Sequence, residues 1–341
     1  MHPELEAAVS KVGLNGCLPV LTEAAHLSEQ TIATARERLN KIVPREEDVQ
    51  LDVVVFGSIA RREASPESDA DFLVVAYELL PEDRVERTHD LLNASYVLLT
   101  EELKFKPPGA QGMFGTVISA PDLTERIGLE ADTNLTHSQR ILLLEESTSI
   151  YAPDLHTRLI RALLKRYVID YVADPKAGVP RFLLNDVERY WRTLCVDYQA
   201  KRWIRRDEGC LRYLKLVISR KLAFVGTITS LLLTERAEVD PLVIQFEMPP
   251  LARFAQLHKQ LGEEGLQALK ESLVIAEEFA AALCDDKFRK KASSIASRGE
   301  FDSVPEAEEM RKRGRHLQEL LETIFFRDPS LKDRSERYLS F

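Results

Sequence analysis

The chain has 341 residues, 45% hydrophobic and 30% charged, with a formal net charge of −9. That length holds two domains with sizeable cores, and the composition is that of an ordinary globular protein rather than a disordered, fibrous or membrane-embedded one. The four cysteines, Cys17, Cys195, Cys210 and Cys284, stand far apart with no CxxC and no Cys/His cluster, which argues against a disulfide framework or structural zinc and for a reducing compartment.

In chain order, "MHPELEAAVSKVG" lacks the apolar stretch of a secretory signal, so a cytoplasmic location is predicted. Leu21–Val43 has apolar residues at helical spacing and reads as a long helix ending at Pro44. Val49–Gly57 is β-branched and almost continuously apolar, the pattern of a buried strand. "ADFLVVAYEL" reads as a second strand. Pro81 starts a crossover segment that is helical through "RVERTHDLLNASYVLLTEEL". Phe105–Gly115 is a Pro/Gly loop. Gly115–Pro121 reads as a third strand, followed by a short helix with Ser119 as its cap and a longer one with Thr136 as its cap.

From about Ala152 onward the pattern is helical throughout. "DLHTRLIRALLKRYVIDYV", "RFLLNDVERYWRTLCVDYQAKRW" and "CLRYLKLVISRKLAFVGTITSLLL" are helix-like, and the apolar window Leu222–Leu233 is too short for a bilayer span and reads as a buried helix. "KFRKKASSIASRGEFDSVPEA" is polar and aperiodic, the composition of a mobile loop. A last helix, "EEMRKRGRHLQELLETIFF", has a basic first half that acids at 306, 308 and 309 precede, so a solvated face is favoured over a nucleic-acid patch. From His156 to Lys221 there are 16 Lys and Arg against 7 Asp and Glu, leaving 30 against 48 elsewhere. Such a block either holds an anionic ligand locally or pairs with the acidic remainder. The low overall basicity argues against long duplex nucleic acid.

The chemistry concentrates between the first two strands, in "VVVFGSIARREASPESDADFLVVA". Asp69 and Asp71 lie two residues apart, so on a strand they share a face. Two carboxylates there repel unless a cation or proton offsets them. Gly57 allows a close backbone approach to a phosphate and Ser58 supplies a donor. A hard divalent cation, magnesium or manganese, is the kind that such a carboxylate pair holds.

Strand, Gly57-Ser58, ten residues, Asp69-Ala70-Asp71, strand: this resembles the signature of the nucleotidyltransferase superfamily, which includes polymerase β, kanamycin nucleotidyltransferase and the CCA-adding enzymes. The resemblance implies an α+β fold: a small mixed β-sheet domain with helices and an N-terminal helix over 1–150, then an all-helical domain over 151–341. It implies Mg²⁺-dependent transfer of an NMP from an NTP to an acceptor hydroxyl, with pyrophosphate released and Asp69 and Asp71 as catalytic metal ligands. Gly57, Ser58 and Ser68 are nucleotide-binding candidates. "GSIARREASPESDAD" is also similar to the minimal nucleotidyltransferases, in which an arginine and an acid follow Gly-Ser; Arg61 and Glu63 fill those places. Arg61 is then a phosphate contact or a solvated helix charge. That pattern has a glycine where this chain has Arg62.

A third carboxylate, common in the superfamily, is absent from "GTVIS". Asp122 and Asp132 are the nearest acids after it. "GMFGTVISAPDLTERIGLEADTNLTHSQRILLLEES" resembles an uncharacterised bacterial group of nucleotidyltransferase-domain proteins, which makes Asp132, Asn134 and Arg140 second-rank site candidates; Asp132 and Asn134 also suit a turn that starts a helix. By analogy with relatives that append a helical domain, Arg192, Lys215 and Lys221 are candidates for holding the triphosphate, against ion pairing with Asp186, Glu188 and Asp197. Trp191 falls on the apolar stripe of its helix and reads as core. The acceptors open to such an enzyme are a protein, a tRNA or a small molecule. The alternatives are a cyclic-oligonucleotide synthase and a non-catalytic nucleotide-binding regulator of the antitoxin type.

Overall fold

The structure is a computed structural model that describes residues 1–46, 49–78, 85–109, 113–170, 178–204, 209–295 and 298–339. Pro81, expected to open the crossover, lies outside the described residues. The chain starts with α1 (Pro3–Lys11), which the sequence reading did not identify, and α2 (Pro19–Ile42). The His2 side chain accepts the Glu4 N–H at 3.2 Å and a proline opens α1, so its first turn is capped. There follow β1 (Leu51–Phe56), α3 (Gly57–Arg61), β2 (Phe72–Ala76), α4 (Val85–Tyr96), β3 (Thr116–Ser119), α5 (Ala120–Glu125), α6 (Asn134–Glu145), β4 (Ser147–Ser149) and α7 (Pro153–Lys165). Among the described residues the later elements are helices: α8 (Arg181–Ile204), α9 (Gly209–Lys215), α10 (Lys221–Leu232), α11 (Val239–Glu247), α12 (Pro250–Ala255), α13 (Glu263–Cys284), α14 (Asp286–Ser294), α15 (Pro305–Glu322) and α16 (Lys332–Tyr338). The α+β class expected from the sequence is the observed one.

The chain divides into two compact units, one of residues 24–186 with 235–249, the other of 1–23, 187–234 and 250–341. The sequence boundary at 150 falls inside the first of these, between β4 and α7.

Among its described residues the sheet unit holds four strands in the order β3-β2-β1-β4. β1 pairs antiparallel with β2, with Val55 opposite Phe72, and antiparallel with β4, with Phe56 opposite Ser147. β3 runs parallel to β2, with Leu73 opposite Thr116, as a strand–helix–strand crossover through α4 requires. Every residue of β1 and β2 is buried. A strand covered on both faces selects apolar side chains at odd and even positions alike, which is why these two read as continuous apolar runs. Leu51, Val53, Val55, Phe72 and Val74 share a core with Ile32, Ala35 and Leu39 of α2 and Leu91 of α4.

β4 was read as part of a helix. It has three polar residues, Ser147, Thr148 and Ser149, and no apolar alternation to announce it. The cap of α6 is Thr133, whose hydroxyl accepts the Thr136 N–H at 3.2 Å, so the cap lies three residues before the threonine expected. Ser119 caps α5 as expected, accepting the Asp122 N–H at 3.4 Å.

In the helical unit the apolar window of α10 is buried: Leu222, Ala223, Val225, Ile228, Leu231 and Leu232 are core. Gly226 permits this packing, because a Cβ there would sit 2.2 Å from the Pro250 carbonyl oxygen of α12. Trp191 stacks on Phe224 with ring centroids 5.1 Å apart. The segment expected as a mobile loop is helical over Asp286–Ser294. Asp285 caps it by accepting the Lys287 N–H at 2.8 Å, and Phe288 and Ala292, four residues apart, bury one stripe of an otherwise charged helix. On α15, Arg311 pairs with Glu308, Lys312 with Glu309 and Arg313 with Glu278, so the basic half is a neutralised, solvated face. Among the described residues no helix is long and apolar enough to cross a membrane.

Candidate functional site

The site is built where β1 ends and β2 begins. The Phe56 N–H donates to the Asp71 carbonyl at 2.8 Å, carrying the β1–β2 ladder one step beyond the strand proper. At that point the chain turns into α3 through Gly57, whose φ is +64°. A Cβ at Gly57 would stand 3.3 Å from Asp71 Oδ2. Glycine suits this position twice, for the left-handed backbone and for the tight fit against a carboxylate.

Alternation along the chain orients the acids. Ala70 and Phe72 are buried with the core, so Asp69 and Asp71 point to the opposite face. Asp69 is exposed and Asp71 half-buried. The Asp69 segment is itself held in place: Asp69 forms a parallel bridge with Lys106, the Ala70 N–H donates to the Lys106 carbonyl at 2.7 Å, and the Lys106 N–H donates to the Ser68 carbonyl at 3.0 Å. The Ser68 hydroxyl accepts the Ser65 N–H at 3.0 Å and so fixes the turn before the acids. Ser58, half-buried, is the second residue of α3, and its carbonyl accepts the Glu63 N–H at 2.8 Å.

Arg62 ends α3 in the left-handed conformation, with φ +66°, where the similar minimal enzymes have glycine. The backbone demand is met at some strain, and the side chain is tied down: Nη1 donates to the Ala60 carbonyl at 2.8 Å and to Thr148 Oγ1 at 3.0 Å, and Nε to Glu29 at 2.5 Å. Arg61, considered for a phosphate or for solvent, is held by two acids of the domain. Its Nε donates to Glu63 at 2.8 Å and its Nη1 to Glu146 at 2.6 Å, with the side chain only 10% exposed. Burial opposes its charge, but Glu146 and Glu63 more than offset this and hold the guanidinium protonated. Arg61 thus ties α3 to the residue that precedes β4.

The acids that follow β3 are elsewhere. Because β3 is parallel to β2 with Ser119 beside Ala76, Asp122 follows the end of β2 opposite Asp71, about 16 Å along the strand at the usual rise. It forms an i,i+4 pair with Arg126 at 2.7 Å. Asp132 and Arg140 form a buried bidentate ion pair at 3.0 and 2.7 Å, their side chains 2% and 0% exposed. The Arg140 Nε donates to the Tyr167 hydroxyl at 2.8 Å, the Tyr167 hydroxyl to Asp186 at 2.5 Å, and Asp132 also accepts the Gly128 N–H at 3.1 Å. Burial raises the Asp132 pKa, but the hydrogen bonds from Arg140, the Gly128 N–H and Thr136, with the Arg140 charge, together outweigh it and lower the pKa. This is a structural network that fixes the start of α6. Asn134 is the exposed first residue of that helix.

Arg192, Lys215 and Lys221 belong to the helical unit. Arg192 pairs with Glu188 at 3.4 Å, and the Lys221 ammonium donates to Gln318 at 2.9 Å, with burial lowering its pKa. Lys215 is half-buried in α9.

Two residues at the mouth escaped the sequence reading. Glu146, opposite Gly57 by the β1–β4 register, was hidden because β4 was. Lys106 was hidden in a Pro/Gly loop, where no periodicity tells which way it faces. Among the described residues no third Asp, Glu, His or Cys joins the Asp69–Asp71 pair in a metal-holding group. The pair nevertheless suits a hard divalent cation: it offers carboxylate oxygens on one face, with the space beside Asp71 kept clear by the missing Cβ of Gly57.

No curated protein sequence matches the chain significantly. Residues 36–109, from within α2 to just past Lys106, match the family model of the nucleotidyltransferase domain. That match, which spans β1, α3, β2, α4 and the Gly57–Asp71 segment, supports a nucleotidyltransferase domain of the nucleotidyltransferase superfamily over residues 36–109.

Proposed function

We propose that the protein is a Mg²⁺-dependent nucleotidyltransferase: it takes an NTP, transfers the NMP to an acceptor hydroxyl and releases pyrophosphate. The domain match supports NMP transfer in general. The observation that carries the finer reading is the juxtaposition of Asp69 and Asp71 with a left-handed Gly57 whose absent side chain leaves room against Asp71 Oδ2. Like charges on one face are costly without a counter-charge, and nothing in the packing of the core calls for them there.

Asp69 and Asp71 would hold the divalent cations. When bound, these neutralise the polyphosphate and lower the pKa of the attacking oxygen. The chain's own residues position the partners. Gly57 lets the phosphates approach the backbone, Ser58 is placed to donate from the first turn of α3, and the Ser65–Ser68 turn together with Lys106 keeps Asp69 in line with Asp71. The Arg61–Glu63–Glu146 bridge keeps α3 fixed against β4 while this happens.

Incubation with each α-labelled NTP, Mg²⁺ or Mn²⁺, and a cell extract as acceptor pool tests the reading. The expected result is pyrophosphate release with label transferred to a macromolecule or small molecule; whether protease, ribonuclease or neither removes the label names the acceptor class. Tight NTP binding without pyrophosphate release from any acceptor pool would refute the enzyme reading and leave a nucleotide-binding regulator.

A further inference from the structure

The α3 arginines beside Gly57 are spoken for, Arg61 by Glu63 and Glu146 and Arg62 by Glu29, Ala60 and Thr148. Lys106 is different. It is exposed, and its backbone is locked to the segment that carries Asp69. Phe105, just before it, is buried in the sheet core and donates its N–H to the Leu99 carbonyl at 3.1 Å. Lys104 takes a left-handed φ of +64°, which turns the chain so that Phe105 enters the core and Lys106 meets Asp69. Partners in a β-bridge direct their side chains to the same face, so the Lys106 side chain leaves the backbone on the face of Asp69 and Asp71.

At present the Lys106 ammonium pairs with Glu67 at 2.7 Å, with side chains 47% and 40% exposed. A solvated pair of this kind contributes little and is screened by salt, so it is easily exchanged for a better anion. A triphosphate is that anion. It brings roughly four negative charges to a site that already holds two carboxylates, and even two divalent cations leave an excess of negative charge that one fixed lysine reduces.

We propose that Lys106 is a phosphate-binding, positioning residue of the nucleotide site, exchanging its ion pair with Glu67 for the polyphosphate of the incoming NTP. This rests on the reading of the site as one for Mg²⁺-NTP. Lysine suits the task because its ammonium is a point charge on a flexible stem that can follow the polyphosphate as pyrophosphate leaves.

The test is a calorimetric titration of the full chain, in Mg²⁺, with ATP, CTP, GTP, UTP, the corresponding monophosphates and inorganic pyrophosphate. Lys106→Gln and Lys106→Arg are compared with wild type after matching their melting curves. Lys106→Gln is expected to weaken the preferred NTP and pyrophosphate about tenfold, the scale of a charge-assisted hydrogen bond, while the monophosphate changes less than about twofold. Lys106→Arg should recover most of the loss. In turnover, KM should rise with kcat held within a few-fold. Equal NTP affinity in wild type and Lys106→Gln, or equal weakening of NTP and monophosphate, would overturn the assignment of Lys106 while leaving the site reading intact. Failure of the wild type to bind any of the four NTPs or pyrophosphate would overturn both.

Discussion

Within the sheet unit, two sets of carboxylates meet opposite fates. Asp52, on β1, is fully buried; its Oδ1 accepts from the Val53 N–H at 2.8 Å, the Ser149 hydroxyl at 2.7 Å and the Ala152 N–H at 2.7 Å. Asp132 is likewise consumed by Arg140, and Glu63 and Glu146 by Arg61. Asp69 and Asp71 leave the same sheet toward an exposed mouth, with a glycine clearing the space beside them and a lysine at their side. The difference teaches how to separate structural from functional charge in one domain. Carboxylates enclosed by donors or cations inside the domain hold the fold, while a pair directed together to one face at a strand end is what the proposed function puts to use.

Four substitutions break or sharpen that contrast. The largest effect belongs to the open set. Asp71→Asn should lower NMP transfer by about a thousandfold or more, since several kcal/mol of charge stabilisation go with a metal ligand, while the melting temperature stays within a few degrees. If activity persists, the metal does not rest on this pair. Next comes the closed set: Arg140→Met leaves Asp132 buried without its partner and should cost roughly 3–5 kcal/mol in urea unfolding. A loss below about 1 kcal/mol would show that the network is ornamental.

Asp52 offers a pH signature. Burial pushes its carboxyl up to about 7 from the ordinary 3.8. Between those values the folded chain holds a proton that the unfolded chain has released, so this group's contribution to stability falls as pH rises from about 4 to about 7. Asp52→Asn keeps an oxygen for all three donors and removes the ionisation. The variant should be close to wild type near pH 4.5 and more stable than it by about 3 kcal/mol near pH 8. A difference independent of pH would mean that Asp52 does not titrate in this range. The smallest effect is at the seam between the two sets. Gly57→Ala should cost about 1–2 kcal/mol for a left-handed alanine, and more of its activity than its stability, because the new methyl meets Asp71.

The parts of this contrast that the sequence discloses are those with a local signature. Val53–Phe56 and Phe72–Val75 are buried on both faces, so they show as apolar runs, and the Gly-Ser and Asp-Ala-Asp between them stand out against that background. Arg61 and Arg140 could be singled out but not assigned. Whether a cation meets a phosphate or an internal carboxylate depends on which residue lies across the sheet, and for Arg61 that residue precedes a three-residue polar strand with no pattern. Asp122 was a reasonable third acid until the parallel direction of β3 carried it to the far end of β2. Lys106 depends on a left-handed Lys104, a conformation that residue type does not predict. The helix at Asp286–Ser294 is masked by its composition, because only Phe288 and Ala292 mark its buried stripe.

The most direct measurement is the stoichiometry of pyrophosphate released to NMP transferred, with Mg²⁺ and the best NTP, for wild type, Asp69→Asn, Asp71→Asn and Arg140→Lys. The account predicts one pyrophosphate per NMP in wild type, neither product above background in both aspartate variants with their folds intact, and unchanged stoichiometry in Arg140→Lys even where its stability drops. Transfer that survives loss of both carboxylates, or NTP consumed without pyrophosphate, would contradict it.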